Sequence, residues 1–234
     1  MIEGLPGYIS ATFIFTTFLV VGFFLYAIRQ TVFHTLPVKI ITFLLAFWLI
    51  FQTILAFSGF YLKTDTMPPR LMIAGVFPAF LLIILYFIFA RESFIEKLPL
   101  RILTLLHIIR IPVEIVLWWL FQQKMIPQLM TFEGRNFDII AGLTAPFIAW
   151  LAFKNGKINR FLLAVWNLFA LGLLLNIVSN AVLSIPSSFQ QLAFDQPNRA
   201  VLYFPFIWLP TIVVPIVLFT HLASLWNLLK NSPR

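Results

Sequence analysis

Seven continuous apolar stretches, each about as long as a bilayer is thick, set what this chain can fold into. A transmembrane helix needs about twenty apolar residues, whereas a strand of a membrane β-barrel shows about ten residues that alternate between apolar and polar. The runs are continuous and of the longer kind, so they predict an all-α polytopic membrane protein with seven transmembrane helices in one domain, residues 1–234. They cover residues 11–28, 38–62, 70–90, 100–122, 137–153, 158–183 and 205–229.

The composition of the chain also indicates lipid as its main solvent. Hydrophobic residues make up 61% of the 234 residues and charged residues only 10%. A water-soluble domain is nearer to about half apolar and about a quarter charged, and it could not bury this many apolar side chains. Because the chain has no cysteine, disulfides, thiol catalysis and cysteine-ligated metals are excluded.

The Lys and Arg residues between the apolar stretches predict the direction of crossing, because cytoplasmic loops carry an excess of positive charge. Ten fall on one side and five on the other, and Arg110 lies inside the fourth stretch. This bias predicts an outside N-terminus and a cytoplasmic C-terminus in a multi-pass protein of a cell membrane, a bacterial inner membrane being the expected one. It also accounts for the net charge of +8, so we expect no nucleic-acid partner. The cytoplasmic set is Arg29, Lys39, Arg91, Lys97, Arg101, Lys154, Lys157, Arg160, Lys230 and Arg234, and the outer set is Lys63, Arg70, Lys124, Arg135 and Arg199.

The fourth stretch carries charged residues where a membrane helix should be apolar. Its central sequence, LLHIIRIPVEIVLWWLF, places His107, Arg110 and Glu114 within a stripe about 60° wide on a helical wheel. The opposite side holds Ile108 and Ile115. A charge at the bilayer centre costs on the order of 3 kcal/mol, so the stripe is expected to face other helices or a wet cavity.

Two features of this stripe indicate a site. Arg110 and Glu114 are four residues apart and can pair along the helix, which lowers the cost of burying both charges. Pro112 removes a backbone donor and frees the carbonyl of Ile108, which predicts a kink beside a polar cavity. The alternative is that the two charges are a buried pair that only fixes helix packing.

The histidines offer a possible second set of ligands. His107 lies six residues after Arg101, and His221 lies nine residues before Lys230, so both are expected at one depth in the cytoplasmic third of the bilayer. Two His on different helices can ligate a metal or clamp a haem. The one other His in the sequence, His34, is in a loop, and metal or haem sites usually show more ligands than two His. We therefore predict no metal site and leave the cofactor open.

Other polar residues extend the predicted site in both directions. The fourth, sixth and seventh stretches are expected to enclose a cavity, with the second stretch behind them. Asn167 falls on the opposite face of its helix from the other Asn residues and is assigned to packing. The predicted ligand or proton path comprises Glu114, Arg110, His107, His221, Asn176, Asn180 and Gln52, and the predicted outer vestibule comprises Glu133, Arg135, Asp138 and Arg199. Asp138 is also expected to cap the fifth helix.

Two functions fit these residues. The first is binding or transport of a small molecule or proton, in which Glu114 holds a proton or a cationic solute. The second is a membrane-embedded enzyme or cofactor-binding protein acting on a lipid, quinone or isoprenoid. In that case Glu114 or His107 is the acid or base, and Arg110 holds an anionic head. Transport or binding is preferred because no complete catalytic set is present. The oligomeric state stays open, and an accessory subunit whose charges dock a partner is a third alternative.

Overall fold

The computed structural model describes residues 1–31, 36–89 and 94–230, which form helices, turns and no strand. His34, Arg91 and Arg234 lie outside the described residues. The α-helices are α1 (Gly7–Thr31), α2 (Leu36–Phe57), α3 (Phe77–Phe89), α4 (Leu100–Leu106), α5 (Arg110–Gln122), α6 (Ile139–Ala152), α7 (Arg160–Leu183) and α8 (Val214–Lys230).

These helices form seven helical segments at the positions of the seven apolar stretches, because α4 and α5 together make the fourth. Within the described residues, five segments are long and apolar enough to cross a membrane. The other two are α6, which has only 14 residues, and the interrupted fourth segment. The all-helical, apolar architecture is therefore confirmed, while seven membrane crossings and their direction stay predictions.

The interruption of the fourth segment lies next to its proline. A single 3-10 turn, His107–Ile109, separates α4 from α5. Pro112 is the third residue of α5, in the first helical turn, where a missing backbone N–H leaves no hydrogen bond unmade. The segment thus accommodates Pro112 by restarting its α-helix just before it.

The third and seventh segments both begin with π-helical turns, Met72–Val76 before α3 and Leu209–Val213 before α8. These two turns contact each other. Gly75 makes the approach possible, since a Cβ there would lie 2.8 Å from Cγ2 of Thr211. π-Helical turns are rare and often mark functional regions of membrane and soluble helices.

The seventh segment is the centre of the bundle. In its apolar 18-residue window 67% of residues are buried, against 11% for α2 and 11% for the third segment. α8 contacts α1, α3, α4 and α7, while α6 packs against α4, α5 and α7. The fourth segment is thereby surrounded by α1, α6 and α8, and this arrangement decides what its charged stripe meets.

Candidate functional site

The charged stripe of the fourth segment faces the interior, as the helical wheel predicts. His107, Arg110 and Glu114 are 0%, 2% and 1% exposed. On the opposite side, Ile115 is 36% exposed, which suits contact with lipid. Three polar side chains are thus packed among helices, and each needs hydrogen-bond partners there.

Arg110 makes its ion pair with Asp138, at the start of α6, and the predicted pairing with Glu114 is wrong. Nη1 of Arg110 lies 2.7 Å from Oδ1 of Asp138 and also donates to the carbonyl of Ala170 on α7. The reason lies in helix packing, because Gly142 lets α6 come close to the fourth segment. A Cβ at Gly142 would lie 2.9 Å from Cγ1 of Ile111. This approach brings the Asp138 carboxylate across to the guanidinium.

Glu114 is held instead by Asn136, which the sequence analysis did not single out. Nδ2 of Asn136 lies 2.6 and 2.7 Å from the two carboxylate oxygens and also donates to the Met130 carbonyl. Oδ1 of Asn136 accepts from the backbone N–H of Asp138 at 3.0 Å. Asn136 therefore connects both acidic residues. The available signal was its place two residues before Asp138, ahead of an unusually short apolar stretch.

His221 joins the same network from α8, and its partners fix its tautomer. Nη2 of Arg110, which can only donate, lies 2.7 Å from Nε2 of His221. Nδ1 of His221 must then carry the proton, and it donates to Oδ1 of Asn167 at 2.9 Å. The amide of Asn167 is oriented by its own donation to the Leu163 carbonyl. His221 is thus a neutral imidazole with both nitrogens engaged.

His107 and His221 do lie at one depth, as the residue count predicts, but they stack instead of converging. Their ring centroids are 4.0 Å apart with the planes 23° from parallel, and Trp166 packs edge-on to His107 at 5.4 Å. Thr220 donates to the Val217 carbonyl, so it accepts from Nε2 of His107 at 3.3 Å. Nδ1 of His107 is buried without a hydrogen-bond partner among the described residues.

This stacked pair does not have the geometry of a metal or haem site. Both nitrogens of His221 are already bonded, and two stacked rings do not direct their lone pairs at one ion. Within the part of the chain that is described, no group of three or more His, Asp or Glu side chains is placed to hold a metal. The cluster is a hydrogen-bonded network of neutral and paired side chains.

Asn167 is part of this network, so its assignment to packing alone is wrong, and the predicted stripe of Asn176 and Asn180 lies elsewhere. Asn176 is exposed and donates to the backbone carbonyl of Arg135, and Asn180 donates to Asn176. Gln52 is also remote from the cluster. It donates to the Ala74 carbonyl of the third segment and accepts from Tyr61. These three residues hold loops and helices together and do not reach Arg110.

The predicted outer vestibule separates into two parts. Asp138 is 5% exposed, belongs to the buried ion pair and makes no side-chain cap on α6, which corrects both expectations for it. Glu133, Arg135 and Arg199 are exposed. Glu133 accepts from Nε1 of Trp118 at 2.9 Å, in the C-terminal half of α5. The exposed three thus surround the bundle end, while Asp138 lies inside it.

A cavity of about 90 Å³ borders the network. Its walls come from the third, fourth, sixth and seventh segments, so the third segment takes the place predicted for the second. That prediction relied on Gln52 of α2, but its side chain donates to the Ala74 carbonyl of the third segment and does not line the cavity. The polar residues of the wall are Arg110, Glu114, Asp138 and Asn198, and the other lining residues are apolar except for backbone atoms.

The cavity is partly open, and its partly exposed lining residues locate the opening. These residues belong to the third segment, α7 and the seventh segment, and they are Met72, Val76, Phe80, Val178, Ala181, Val182, Leu209, Pro210 and Val214. The third segment and α7 both pack against the seventh segment. The opening therefore lies on the flank of the bundle, where these three segments meet.

A family model described as a domain of unknown function, DUF8737, matches residues 68–229. The match includes the whole buried network and every residue that lines the cavity, while α1 and α2 precede it. No curated protein and no solved structure matches the chain. Because the matched stretch is more than half of the 234 residues, this chain belongs to the DUF8737 family.

Proposed function

We propose that this chain is an integral membrane protein whose intramembrane cavity binds or transports a small molecule with an apolar body and a polar group. The observation that carries the proposal is the cavity of about 90 Å³ that opens on the flank of the bundle and borders buried Arg110, Glu114 and Asp138. Ligand sites are typically concave and mostly apolar, with a few polar groups that fix the ligand's orientation. The flank position gives a ligand access from the lipid.

In this proposal the seven segments cross the bilayer as one domain, with the N-terminus outside and the C-terminus in the cytoplasm. The 14 residues of α6 span only about 21 Å, less than the hydrocarbon core of about 30 Å. Thr131, Asn136 and Asp138, which precede α6, are buried, so this loop supplies the remaining depth. Irregular backbone at membrane depth is tolerated where it is buried in protein or lines a cavity.

A membrane-embedded enzyme or cofactor-binding protein acting on a lipid, quinone or isoprenoid is the second candidate. It is favoured by Nδ1 of His107, a buried basic nitrogen with no hydrogen-bond partner among the described residues. His107 does not line the cavity, however, and the stacked His221 has both nitrogens engaged. A ligand in the cavity therefore has no direct access to this base, and binding or transport is the better supported function.

The test uses radiolabelled n-hexanol, a slender apolar molecule with one polar group, and the full chain in lipid nanodiscs. Ala181→Phe on α7 fills the cavity, and Leu175→Phe, on the exposed side of the same helix, is the matched control. Empty nanodiscs correct for partition into lipid. We expect saturable hexanol binding by the wild type and by Leu175→Phe, with a loss of at least about tenfold in Ala181→Phe.

The proposal fails if the three proteins bind hexanol equally, or if none binds more than the empty nanodiscs. Equal binding would place the hexanol in lipid or at other sites. Circular dichroism of each variant shows that the helices are intact.

A further inference from the structure

We infer that the cavity selects a cationic ligand, an organic ammonium with a slender apolar chain, over an anionic one of the same shape. This inference rests on the proposed function, since it names the class of molecule that the same cavity takes. Three observations carry it: the charge count of the wall, the partners already assigned to Arg110, and an unpartnered acceptor on Asn198.

The charges on the cavity wall leave a carboxylate uncompensated. One positive side chain, Arg110, faces two acidic ones, Glu114 and Asp138, and all three line the cavity. Arg110 is paired with Asp138 at 2.7 Å, while among the described residues Glu114 has only the neutral Asn136 as its hydrogen-bond partner. A buried carboxylate without a cation of its own either costs several kcal/mol or takes up a proton. A positive ligand charge beside Glu114 stabilises the ionised form, so the site favours a cationic ligand.

The charge of Arg110 is already used within the protein, although an anion site was the role expected for it in the enzyme hypothesis. Its two terminal nitrogens are bound to Asp138, to the Ala170 carbonyl and to Nε2 of His221, and only Nε is buried without a hydrogen-bond partner among the described residues. Of the two histidines that stack beside it, His221 accepts from Arg110 and is therefore neutral, while Nε2 of His107 donates to Thr220. An anionic head would therefore meet Glu114 without a free positive charge to balance it, and like charges placed together cost several kcal/mol.

Asn198 supplies a second acceptor on the same wall. It is fully buried, its Nδ2 donates to the carbonyl of Ala181, and its Oδ1 has no hydrogen-bond partner among the described residues. A buried acceptor left unpaired costs about 1–3 kcal/mol, so it favours a ligand that donates hydrogen bonds. An ammonium group has up to three N–H donors and a positive charge, which suits a wall that carries both an amide acceptor, Asn198, and a carboxylate, Glu114.

The rest of the wall sets the shape of the ligand. The remaining side chains are apolar, including Leu174, Val178 and Val217, and the volume is about 90 Å³. This suits a narrow alkyl or similar chain and is too small for a bulky multi-ring cation. The chain of such a ligand would extend towards the opening on the flank of the bundle.

The experiment compares n-hexylammonium, n-hexanol and n-hexanoate at neutral pH with the full chain in nanodiscs of zwitterionic lipid. Binding is measured by equilibrium dialysis of each radiolabelled compound, with Ala181→Phe as the cavity-filled reference. We expect hexylammonium to bind at least about tenfold more tightly than hexanoate, with hexanol between them. Glu114→Gln should remove the preference and keep hexanol binding. Glu133→Gln, at an exposed carboxylate that also accepts a hydrogen bond, should retain it.

The inference is overturned if hexanoate binds as tightly as hexylammonium, or if Glu114→Gln keeps the preference. In both cases continued hexanol binding leaves the proposed function standing, whereas loss of all cavity-dependent binding removes both. If Glu114→Gln does not fold, Asn198→Ala provides the second arm. It should weaken hexylammonium relative to hexanol at least about threefold, and an unchanged ratio overturns the inference.

Discussion

The ion pair between Arg110 and Asp138 offers the sharpest test of how the buried network is held. Asp138→Ala removes the only carboxylate of the described residues that lies within ion-pair distance of the guanidinium, while Arg110 keeps its bonds to the Ala170 carbonyl and to His221. The positive charge then stays in a site where its side chain is 2% exposed. We expect this variant to be among the most destabilising single changes in the bundle.

The magnitude follows from the geometry of the pair. At 2.7 Å and an effective dielectric constant of about 20, two unit charges attract by about 6 kcal/mol. Part of this is returned when the carboxylate no longer has to be desolvated, and breaking a buried pair costs about 3–5 kcal/mol in practice. Lys230 and Glu96 form a pair at the same distance, but the Lys230 side chain is 45% exposed. Lys230→Met should therefore cost less than about 1 kcal/mol.

The free energy of unfolding is measurable in bicelles by steric trapping, in which a bound tag prevents refolding. The double variant Arg110→Met/Asp138→Leu should recover most of the loss, because an apolar pair of similar volume removes both buried charges. The reasoning is refuted if Asp138→Ala costs no more than Lys230→Met. It is also refuted if the double variant is less stable than Asp138→Ala alone, since the loss would then not come from an uncompensated charge.

Two further predictions concern packing and direction. Gly142→Ala places a Cβ 2.9 Å from Cγ1 of Ile111 and should lower the unfolding free energy by about 1–3 kcal/mol. In the control Gly172→Ala the new Cβ meets nothing within 4 Å, so the unfolding free energy should stay the same or rise by up to about 1 kcal/mol. Equal effects of the two substitutions would contradict the close approach of α6. For the direction of crossing, a membrane-impermeant maleimide applied to intact cells should label Gln123→Cys and not Lys157→Cys, because the cysteine-free chain gives no background. The reverse pattern would contradict an outside N-terminus.

The sequence was sufficient for the features that depend on one helix alone. The inward stripe of His107, Arg110 and Glu114 followed from helical periodicity, since a charge facing lipid is too costly. The common depth of His107 and His221 followed from a count of residues to the basic ends of two helices. Both results need only the rise and turn of an α-helix.

The contacts between different helices could not be predicted from the sequence in this way. In a soluble helix the apolar face marks the interior, but in a membrane both lipid and protein suit apolar side chains. The sequence of α7 is apolar all round, so its inward face was assigned from the pair Asn176 and Asn180, and the single Asn167 proved to be the buried one. By sequence, Asn136 precedes the fifth apolar stretch and Asp138 lies at its start, and only the close packing of α6 carries them to Arg110 and Glu114.

The remaining prediction separates a structural role for the network from a binding role. On α7, Asn167 accepts from Nδ1 of His221, so Asn167→Leu leaves a buried donor unpaired and should cost about 1–3 kcal/mol of stability. Asn198 lines the cavity and keeps its Oδ1 unpaired, so Asn198→Leu removes a buried acceptor that no group in the described part of the chain satisfies. It loses only the bond from Nδ2 to Ala181 and should cost less than Asn167→Leu.

For hexylammonium binding the order reverses, and Asn198→Leu should have the larger effect. Asn198→Leu should weaken it relative to hexanol, and Asn167→Leu should change it little among the molecules that remain folded. A network that served packing alone would satisfy its polar atoms on every side, and both substitutions would then act on stability in proportion to the bonds they remove. Unfolding by steric trapping and dialysis in nanodiscs give the two readouts on the same preparations. If Asn198→Leu destabilises as much as Asn167→Leu and leaves binding unchanged, the polar wall of the cavity belongs to the scaffold.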